Sequence, residues 1–240
     1  MTTIEFDAPP ANALSGSLQE ALANALTEAG SSRSCKTIVL RSAGTRFFCA
    51  GADISEFRQL RNSPEMDDRH HERADQLHAA LLDCPVPTVC SIQGLALGAG
   101  FLLAALSDIC IASTRAEFAL PELSSGMVGG GLYLARVLPP PAVRYLYFTS
   151  RRLSAEDAHR WGFVHVIASP DALEETTRQV AREIASKPRA ALAAARLALR
   201  NLDASFKEAA RAELYLGRWV QRDDEVQQKL AEFEERFTKP

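Results

Sequence analysis

The first two-thirds of the chain alternate between two hydrophobic patterns. Short runs of consecutive apolar residues, rich in β-branched side chains and bounded by turn residues, are typical of buried strands. These runs predict strands at Ile4–Phe6, Thr37–Arg41, Thr88–Ile92, Ile109–Ser113, Phe118–Leu120 and Phe163–Ile167. Between the strands, apolar residues recur every three or four positions, as at Leu18, Leu22 and Leu26, which predicts amphipathic helices. Strands that alternate with helices indicate an α/β core.

The last third of the chain has the helical spacing only. It predicts helices over 171–186, over 190–199 after the break at Pro188, and over 205–237. Further helices are predicted near 17–29, 54–82, 98–106, 131–138 and 154–162. We therefore place an α/β core at residues 1–185 and a C-terminal helical region at 186–240, whose apolar positions are expected to pack on something such as another copy.

Residues 84–107 carry no charged side chain and are long enough to suggest a membrane-spanning helix. The pattern argues against that interpretation, because two prolines favour an extended start and Gln93 with three glycines interrupts the run. The flanking residues Asp83 and Asp108 also lack the adjacent lysine or arginine typical of a membrane border. The stretch instead predicts a buried strand followed by an apolar helix from Gly98 to Leu106, and no membrane partner is expected.

Composition narrows the class of protein. With 47% hydrophobic and 24% charged residues among 240, the chain has the balance of a globular domain, which excludes a disordered or fibrous protein. The net charge of −3 gives no basic footprint, so no nucleic-acid partner is expected. Five cysteines at irregular spacing, and an N-terminus without the features of a signal peptide, favour reduced thiols in a cytoplasmic protein.

Several familiar site motifs are absent from the sequence. It contains no complete dinucleotide or P-loop fingerprint and no G-x-S-x-G nucleophile elbow. Three histidines, His70, His71 and His78, lie in a stretch rich in charged residues, which favours a solvated helix face over a metal site. No metal is expected.

Two loops of small residues each follow a predicted strand and open a helix. They are Cys49–Asp53, where Asp53 is well placed to cap a helix starting at Ile54, and Gly98–Gly100. Backbone N–H groups at the start of a helix attract negative charge, and two of them aimed at one point form an oxyanion hole. The alternative is that these glycines serve only tight packing between strand and helix.

A single acidic residue stands at the end of a short apolar strand and before a glycine-rich loop. Glu122 follows Phe118–Leu120 and precedes Gly129–Gly131. Apolar neighbours would raise the pKa of its carboxyl group towards values useful for acid–base catalysis. Taken alone, an exposed loop glutamate is the other interpretation.

In order and spacing, these pieces resemble the crotonase (enoyl-CoA hydratase/isomerase) superfamily. The resemblance covers nearly the whole chain, and the combination is specific although each piece alone is weak. The matching segments are Asn12–Ser15, Phe48–Ile54, Pro87–Val89, Ile92–Gly100, Ser107–Ile109, Phe118–Glu122 with the loop to Gly131, and Leu153–Ala158 with Trp161–Val164. The fold implied is a core of repeated ββα units with a C-terminal helical region that mediates trimer contacts in a homotrimer or hexamer.

The resemblance implies an acyl-CoA enzyme of the enoyl-CoA hydratase/isomerase type. By position, the N–H groups of Ala52 and Ala99 would hold the thioester carbonyl and stabilise an enolate, and Glu122 would be the general acid and base. The second glutamate of the family's hydratases would fall at Leu102, and leucine cannot move protons. The reaction therefore stays open between isomerisation and a specialised hydration or dehydration. CoA would arrive as part of the substrate, and no cofactor is implied.

The resemblance also suggests acyl-CoA contacts. The residues expected to bind the substrate are Arg46, Ala50, Asp53, Ile54, Gly98, Gly130, Phe233 and Arg236. Arg46 is a candidate for the CoA phosphates, with a solvated surface arginine as the alternative. Phe233 and Arg236 would reach the CoA of a neighbouring subunit, or would simply end an amphipathic helix.

Two other functions are compatible with this fold. One keeps the oxyanion hole but changes the thioester reaction to decarboxylation, dehalogenation or hydrolysis. The other is a non-catalytic paralogue that binds acyl-CoA or RNA, since function resides in the site rather than in the fold.

Overall fold

The computed structural model describes residues 1–56, 64–199 and 222–236. Its strands are β1 (Thr2–Phe6), β2 (Ile38–Ser42), β3 (Phe47–Cys49), β4 (Thr88–Ile92), β5 (Leu95–Leu97), β6 (Ile109–Ser113), β7 (Glu117–Ala119), β8 (Leu153–Ser154) and β9 (Val166–Ala168). Its helices are α1 (Gly16–Ser31), α2 (Pro64–Leu82), α3 (Ala99–Leu106), α4 (Gly131–Leu134), α5 (Pro140–Thr149), α6 (Ala155–Arg160), α7 (Leu173–Ala185), α8 (Arg189–Leu199) and α9 (Asp224–Arg236). Residues Glu122–Ser125 form a 3₁₀ helix.

The strands form two sheets. In the larger sheet, β1, β2, β4, β6 and β9 lie side by side in that order, and each neighbouring pair is parallel. In the smaller sheet, β3, β5 and β7 are parallel neighbours, and β8 pairs antiparallel with β7. Parallel sheets are usually covered on both faces, and every residue of the central strand β4 is buried accordingly.

Consecutive strands are divided between the two sheets. Strands β2, β4 and β6 belong to the larger sheet, and the strand that follows each of them belongs to the smaller one. A helical segment follows each pair, so the chain repeats a ββα unit. The mixed α/β fold predicted from the sequence is confirmed.

Helix α3 lies at the centre of the hydrophobic core and contacts strands of both sheets. Its residues from Gly100 to Leu106 are all buried, as the apolar sequence predicts. Phe101 on this helix contacts the rings of Phe118 and Phe163 at centroid distances of 5.2 Å. These contacts fix the position of α3, and therefore of the residue at its N-terminus.

Several short elements differ from the sequence prediction, among them the two-residue strand β8, which was not predicted. Within residues 84–107 the structure adds the strand Leu95–Leu97, which the pattern missed, and α5 was not predicted because it begins among prolines. The strand predicted at Phe163–Ile167 is displaced along the chain, since the observed strand is Val166–Ala168. Phe163 is buried, but its N–H and that of Val164 donate to Ala158 O at the end of α6 instead of entering the sheet. No helix in the described part of the chain is long and apolar enough to span a membrane.

The described C-terminal residues are helical. Helix α9 packs against the 3₁₀ helix Glu122–Ser125, and its Leu230 is buried. The apolar positions predicted between 205 and 221 lie outside the described residues. The division at residue 185 and the trimer contacts stay predictions.

Candidate active site

Three loops meet at one edge of the smaller sheet. They follow β3, β5 and β7, which are parallel neighbours, so their carboxyl ends open on the same side. The loop after β3 contains Ala52, the turn after β5 is Gly98, and the loop after β7 leads to Glu122. Segments more than twenty residues apart in sequence thus come together because of the strand order.

The first candidate donor is the backbone N–H of Ala52. Leu14 and Ala52 form a parallel bridge in which Leu14 N donates to Gly51 O at 2.8 Å and Asp53 N donates to Leu14 O at 3.1 Å. Since consecutive peptide groups in such a bridge point to opposite sides, the N–H of Ala52 points away from Leu14. It donates to no protein acceptor among the described residues.

The second candidate donor is the backbone N–H of Ala99, the first residue of α3. The first N–H groups of a helix have no partner within that helix. Gly98 caps this helix with a φ of 52° and offers no side-chain cap. A Cβ built on Gly51 would lie 3.7 Å from the nitrogen of Ala99, so the two loops approach each other closely.

The glycines of these loops allow two kinds of close approach. A Cβ on Gly100 would collide with the carbonyl oxygen of Cys49, so Gly100 allows close packing of α3 on β3. A Cβ on Gly98 would instead lie 2.5 Å from Oε1 of Glu122. Gly98 therefore leaves room for a carboxylate beside the N-terminus of α3.

Glu122 is the first residue of the 3₁₀ helix and is half-buried. Its backbone oxygen accepts from Ser125 Oγ at 2.8 Å and from Met127 N at 2.9 Å, which fixes the turn. Its side chain extends towards Gly98, as the close approach of Oε1 indicates. The alternative of a freely exposed loop glutamate is therefore wrong.

A cavity of about 220 Å³ lies between these groups. Most of the predicted site residues line it, namely Ala50, Ala52, Ile54, Gly98, Ala99, Glu122 and Gly130. Leu102, at the position of the missing second glutamate, lines it too and is 7% exposed. A Cβ on Gly130 would lie 3.3 Å from the methyl carbons of Leu102, so the two residues form one wall.

Other predicted contacts do not reach this cavity in the described structure. Asp53 does not line it, and its carboxylate accepts from Ser55 N at 2.8 Å and Ser55 Oγ at 2.7 Å, as a helix cap does. Arg46 is exposed and lies over the ring of Phe47, 5.0 Å from its centroid, so its role towards CoA phosphates stays a prediction. The side chains of Phe233 and Arg236 lie outside the described part of the chain.

Sequence reasoning missed a group of polar residues on the cavity wall. His70, His71 and His78 of α2 line the cavity, and so does Tyr133 of α4. The prediction of a solvated histidine face is therefore wrong. The spacing of seven and eight residues from His71 and His70 to His78 is that of one helix face, so the pattern contained a signal that they point the same way.

Burial sets the protonation of two groups near the loops. It lowers the pKa of His78 from 6.5 to about 4, so this imidazole is neutral at pH 7. It raises the pKa of the Cys49 thiol to about 12, although a backbone contact with Gly51 acts in the opposite direction. Cys49 is therefore a buried, protonated thiol at pH 7. Among the described residues that line the cavity, Glu122 is the one with a carboxylate.

Comparison with known proteins agrees with this architecture. The chain is similar to a (7aS)-7a-methyl-1,5-dioxo-2,3,5,6,7,7a-hexahydro-1H-indene-carboxyl-CoA hydrolase of Mycobacterium tuberculosis, with 33% identity over 85% of this chain and 81% of the relative. It is 34% identical to a carnitinyl-CoA dehydratase of Salmonella arizonae over 80% of this chain and 73% of that protein. The crystal structure of a putative enoyl-CoA hydratase from Streptomyces avermitilis superposes with a TM-score of 0.86 at 26% identity, covering 99% of this chain and 87% of the other.

The family comparison covers the full length. Residues 1–240 match the sequence model of the enoyl-CoA hydratase/isomerase family. The match includes the loops that carry Ala52, Ala99 and Glu122. The chain belongs to the enoyl-CoA hydratase/isomerase family, the crotonase superfamily.

Proposed function

We propose that the protein is an acyl-CoA enzyme that works through a thioester enolate. The N–H groups of Ala52 and Ala99 hold the thioester oxygen, and Glu122 moves the proton. The observation that carries this proposal is the convergence of two loop N–H groups and one carboxylate on a single cavity. Donors fixed in advance around a developing oxyanion supply one of the largest contributions to catalysis.

The single carboxylate favours a proton shuttle. With a 3-enoyl thioester, Glu122 takes the proton from C2, and the electron pair of that C–H bond moves onto the thioester oxygen. The protonated Glu122 then returns the proton at C4, and the double bond moves to C2–C3. No second acid is needed, which suits the leucine at position 102. The same group suits the loss of water from a 3-hydroxyacyl thioester, with Glu122 taking the C2 proton and delivering it to the departing hydroxyl group.

Thioester hydrolysis is the second candidate, because the same two N–H groups could stabilise the oxyanion that forms when water attacks the thioester. The name of the Mycobacterium tuberculosis relative favours a hydrolase in general and does not specify the bond. In that reaction Glu122 takes a proton from water as the water attacks the carbonyl carbon. The oxyanion then forms on the same oxygen, and the CoA thiol leaves with a proton. The two candidates differ in their product, because only hydrolysis releases free thiol.

A paired assay tests the proposal. The purified protein is given 3-hexenoyl-CoA and crotonyl-CoA, while the absorbance of the conjugated enoyl thioester and the release of thiol are followed together. We expect turnover of at least one substrate, and we expect Glu122→Gln to lower kcat by about 10²–10⁴-fold, the usual contribution of a general acid or base.

Glu156→Gln is the matched control, because Glu156 is an exposed glutamate in the first turn of α6. We expect it to keep the wild-type kcat. Wild-type turnover that persists in Glu122→Gln contradicts the role of Glu122. Binding of acyl-CoA without any turnover supports the non-catalytic alternative instead.

A further inference from the structure

A pair of polar rings lies on the wall of the cavity, on elements other than those that carry the N–H donors. Nδ1 of His78 in α2 lies 3.3 Å from the hydroxyl oxygen of Tyr133 in α4. The ring centroids are 4.8 Å apart and the planes are inclined by 57°. Both rings line the cavity, so this hydrogen-bonded pair faces the space that the acyl group of a thioester would enter.

The surroundings of the pair are mainly apolar. Leu77, Leu102, Met127 and Val128 line the same cavity. Apolar pockets with a few fixed polar groups bind ligands in one orientation, because each polar group requires a matching partner. A purely alkyl chain would cover the imidazole without giving it one.

The second nitrogen of the imidazole is available for such a partner. His78 uses Nδ1 towards Tyr133, and no described protein atom hydrogen-bonds its Nε2. An imidazole that is neutral at pH 7 has one donor and one acceptor nitrogen, so Nε2 takes the role that Nδ1 leaves. It donates to a carbonyl or hydroxyl oxygen if the Tyr133 hydroxyl donates to Nδ1, and it accepts from a hydroxyl group in the other tautomer.

We propose that His78 and Tyr133 form a subsite for an oxygen atom on the acyl chain, so that the preferred substrates are oxo- or hydroxyacyl-CoA thioesters rather than plain alkyl ones. This inference rests on the proposed acyl-CoA function and names its substrate class. A bound acyl chain excludes water from the imidazole, which then loses a hydrogen bond. A substrate oxygen replaces that hydrogen bond, whereas an alkyl chain does not. One such neutral hydrogen bond corresponds to about a tenfold difference in affinity.

Calorimetric titration with acyl-CoA ligands tests the subsite. The probes are heptanoyl-CoA and its 4-oxo, 5-oxo, 6-oxo and corresponding hydroxy derivatives, so that the oxygen is moved along a chain of constant length. For the wild type we expect at least one oxygenated probe to bind about tenfold more tightly than heptanoyl-CoA. The preference between probes is the decisive quantity, since a merely structural role of the pair would change all affinities together.

Two variants remove the pair in different ways. In His78→Phe we expect the oxygenated probes and heptanoyl-CoA to bind about equally well. The affinity for heptanoyl-CoA itself should change by less than about threefold. Tyr133→Phe keeps the imidazole but releases its tautomer, and should lower the preference to below about threefold even if the first variant fails to fold. Tyr145→Phe is the control, because Tyr145 lies exposed on α5 and should keep the full preference.

The outcomes separate the subsite from the function beneath it. Heptanoyl-CoA that binds as well as every oxygenated probe overturns the subsite and leaves the acyl-CoA function standing. A preference that survives in the folded variants shows that other residues recognise the oxygen, which also overturns it. If no probe binds the wild type, the proposed function fails and the subsite fails with it.

Discussion

At the scale of single residues, the chemistry of the site depends on the side chains at positions 102 and 122 of the cavity wall. Leu102 and Glu122 line the same cavity, one as an apolar wall and the other as a carboxylate. Leucine has no group that exchanges protons, so in the proposed reaction Leu102 cannot act as a second carboxylate beside Glu122. The choice of leucine over glutamate at 102 therefore restricts the chemistry more than any change in the backbone.

His78 supplies a prediction about stability and pH. Because burial lowers its pKa from 6.5 to about 4, the unfolded chain binds a proton between these values that the folded chain does not. The contribution is complete above pH 6.5 and is lost as the pH falls towards 4. Urea unfolding at several pH values should show the free energy of unfolding of the wild type falling more steeply in this window than that of His78→Gln.

The difference between the two proteins isolates His78 from the polar groups around it. Tyr133 contacts His78, and His70, His71 and Glu122 line the same cavity. Equal slopes for wild type and His78→Gln would mean that folding leaves the pKa of His78 unchanged, contrary to the burial argument.

Residue-level prediction from the sequence succeeded where the residue type itself restricts the backbone. The small residues of the two loops predicted backbone N–H groups at the start of a helix, and the resemblance to the crotonase superfamily assigned Ala52, Ala99 and Glu122. The structure brings all three residues to one cavity, and their roles stay predictions. His78 and Tyr133 were missed because charged residues surround the histidines in sequence. The packing of α2 on α1 and α3, which turns His78 inwards, is a tertiary contact that no local pattern contains.

At the scale of secondary-structure elements, the turn at Gly98 connects two parts of the site. Gly98 lets the chain pass from β5 into α3 with a φ of 52°, and it faces Oε1 of Glu122. Another residue at position 98 would strain the backbone, and its Cβ would also collide with the carboxylate of Glu122. These two effects can be separated by experiment.

Gly98→Ala and Gly44→Ala form a matched pair for that purpose. Both glycines have positive φ, which residues with a side chain rarely adopt, so each alanine costs roughly 1–3 kcal/mol of folding free energy. A Cβ on Gly44 meets nothing within 4 Å, whereas a Cβ on Gly98 lies 2.5 Å from the carboxylate of Glu122. We expect both variants to unfold at lower denaturant concentration, but only Gly98→Ala to lose kcat, by at least about tenfold. A folded Gly98→Ala enzyme with wild-type kcat would show that the carboxylate need not lie beside this turn.

Elements were predictable in proportion to their burial and length. The strands Thr88–Ile92 and Ile109–Ser113 were placed correctly because a fully buried parallel strand is a continuous apolar run. Leu95–Leu97 has only three residues and adjoins an apolar helix, so no periodicity marks it. Phe163 has the composition of a strand residue, but its N–H closes the end of α6.

At the scale of the whole molecule, two arginines of α8 bind this helix to the core, the half-buried Arg189 and the buried Arg196. Arg189 and Arg196 are seven residues apart and so lie on one face of α8. Arg189 donates to Gly30 O and Cys35 O at the end of α1, at 2.8 and 3.0 Å. Arg196 donates to the carbonyl oxygens at the end of α2, with Leu81 O at 2.7 Å. Each guanidinium also complements the partial negative charge of a helix C-terminus.

Arg196 is the stronger of these anchors. It is 5% exposed, and its Nε lies 2.8 Å from Oδ2 of Asp108. The same carboxylate oxygen accepts from the N–H and the hydroxyl of Thr88 at 2.7 and 2.9 Å, so it keeps two partners if the arginine is removed. Leu82 O, at the end of α2, would lose the bond from Arg196 Nη1, while Leu81 O would keep only a long bond of 3.4 Å from Cys84 N. This arrangement links the C-terminal helices directly to the helix that carries His78.

Replacing Arg196 should therefore lower the free energy of unfolding and loosen the last turn of α2. We expect Arg196→Ala to lower the free energy of unfolding by about 3 kcal/mol, at the low end for a broken buried ion pair because Asp108 stays hydrogen-bonded. Arg152→Ala is the control, since Arg152 forms an exposed ion pair with Glu117 at 2.7 Å and should cost less than about 1 kcal/mol. Hydrogen exchange measured on both variants should show faster exchange in the last turn of α2 for Arg196→Ala alone. If the two variants match in stability and exchange, α8 is not fastened through its arginine, and packing elsewhere must hold the C-terminal helices on the core.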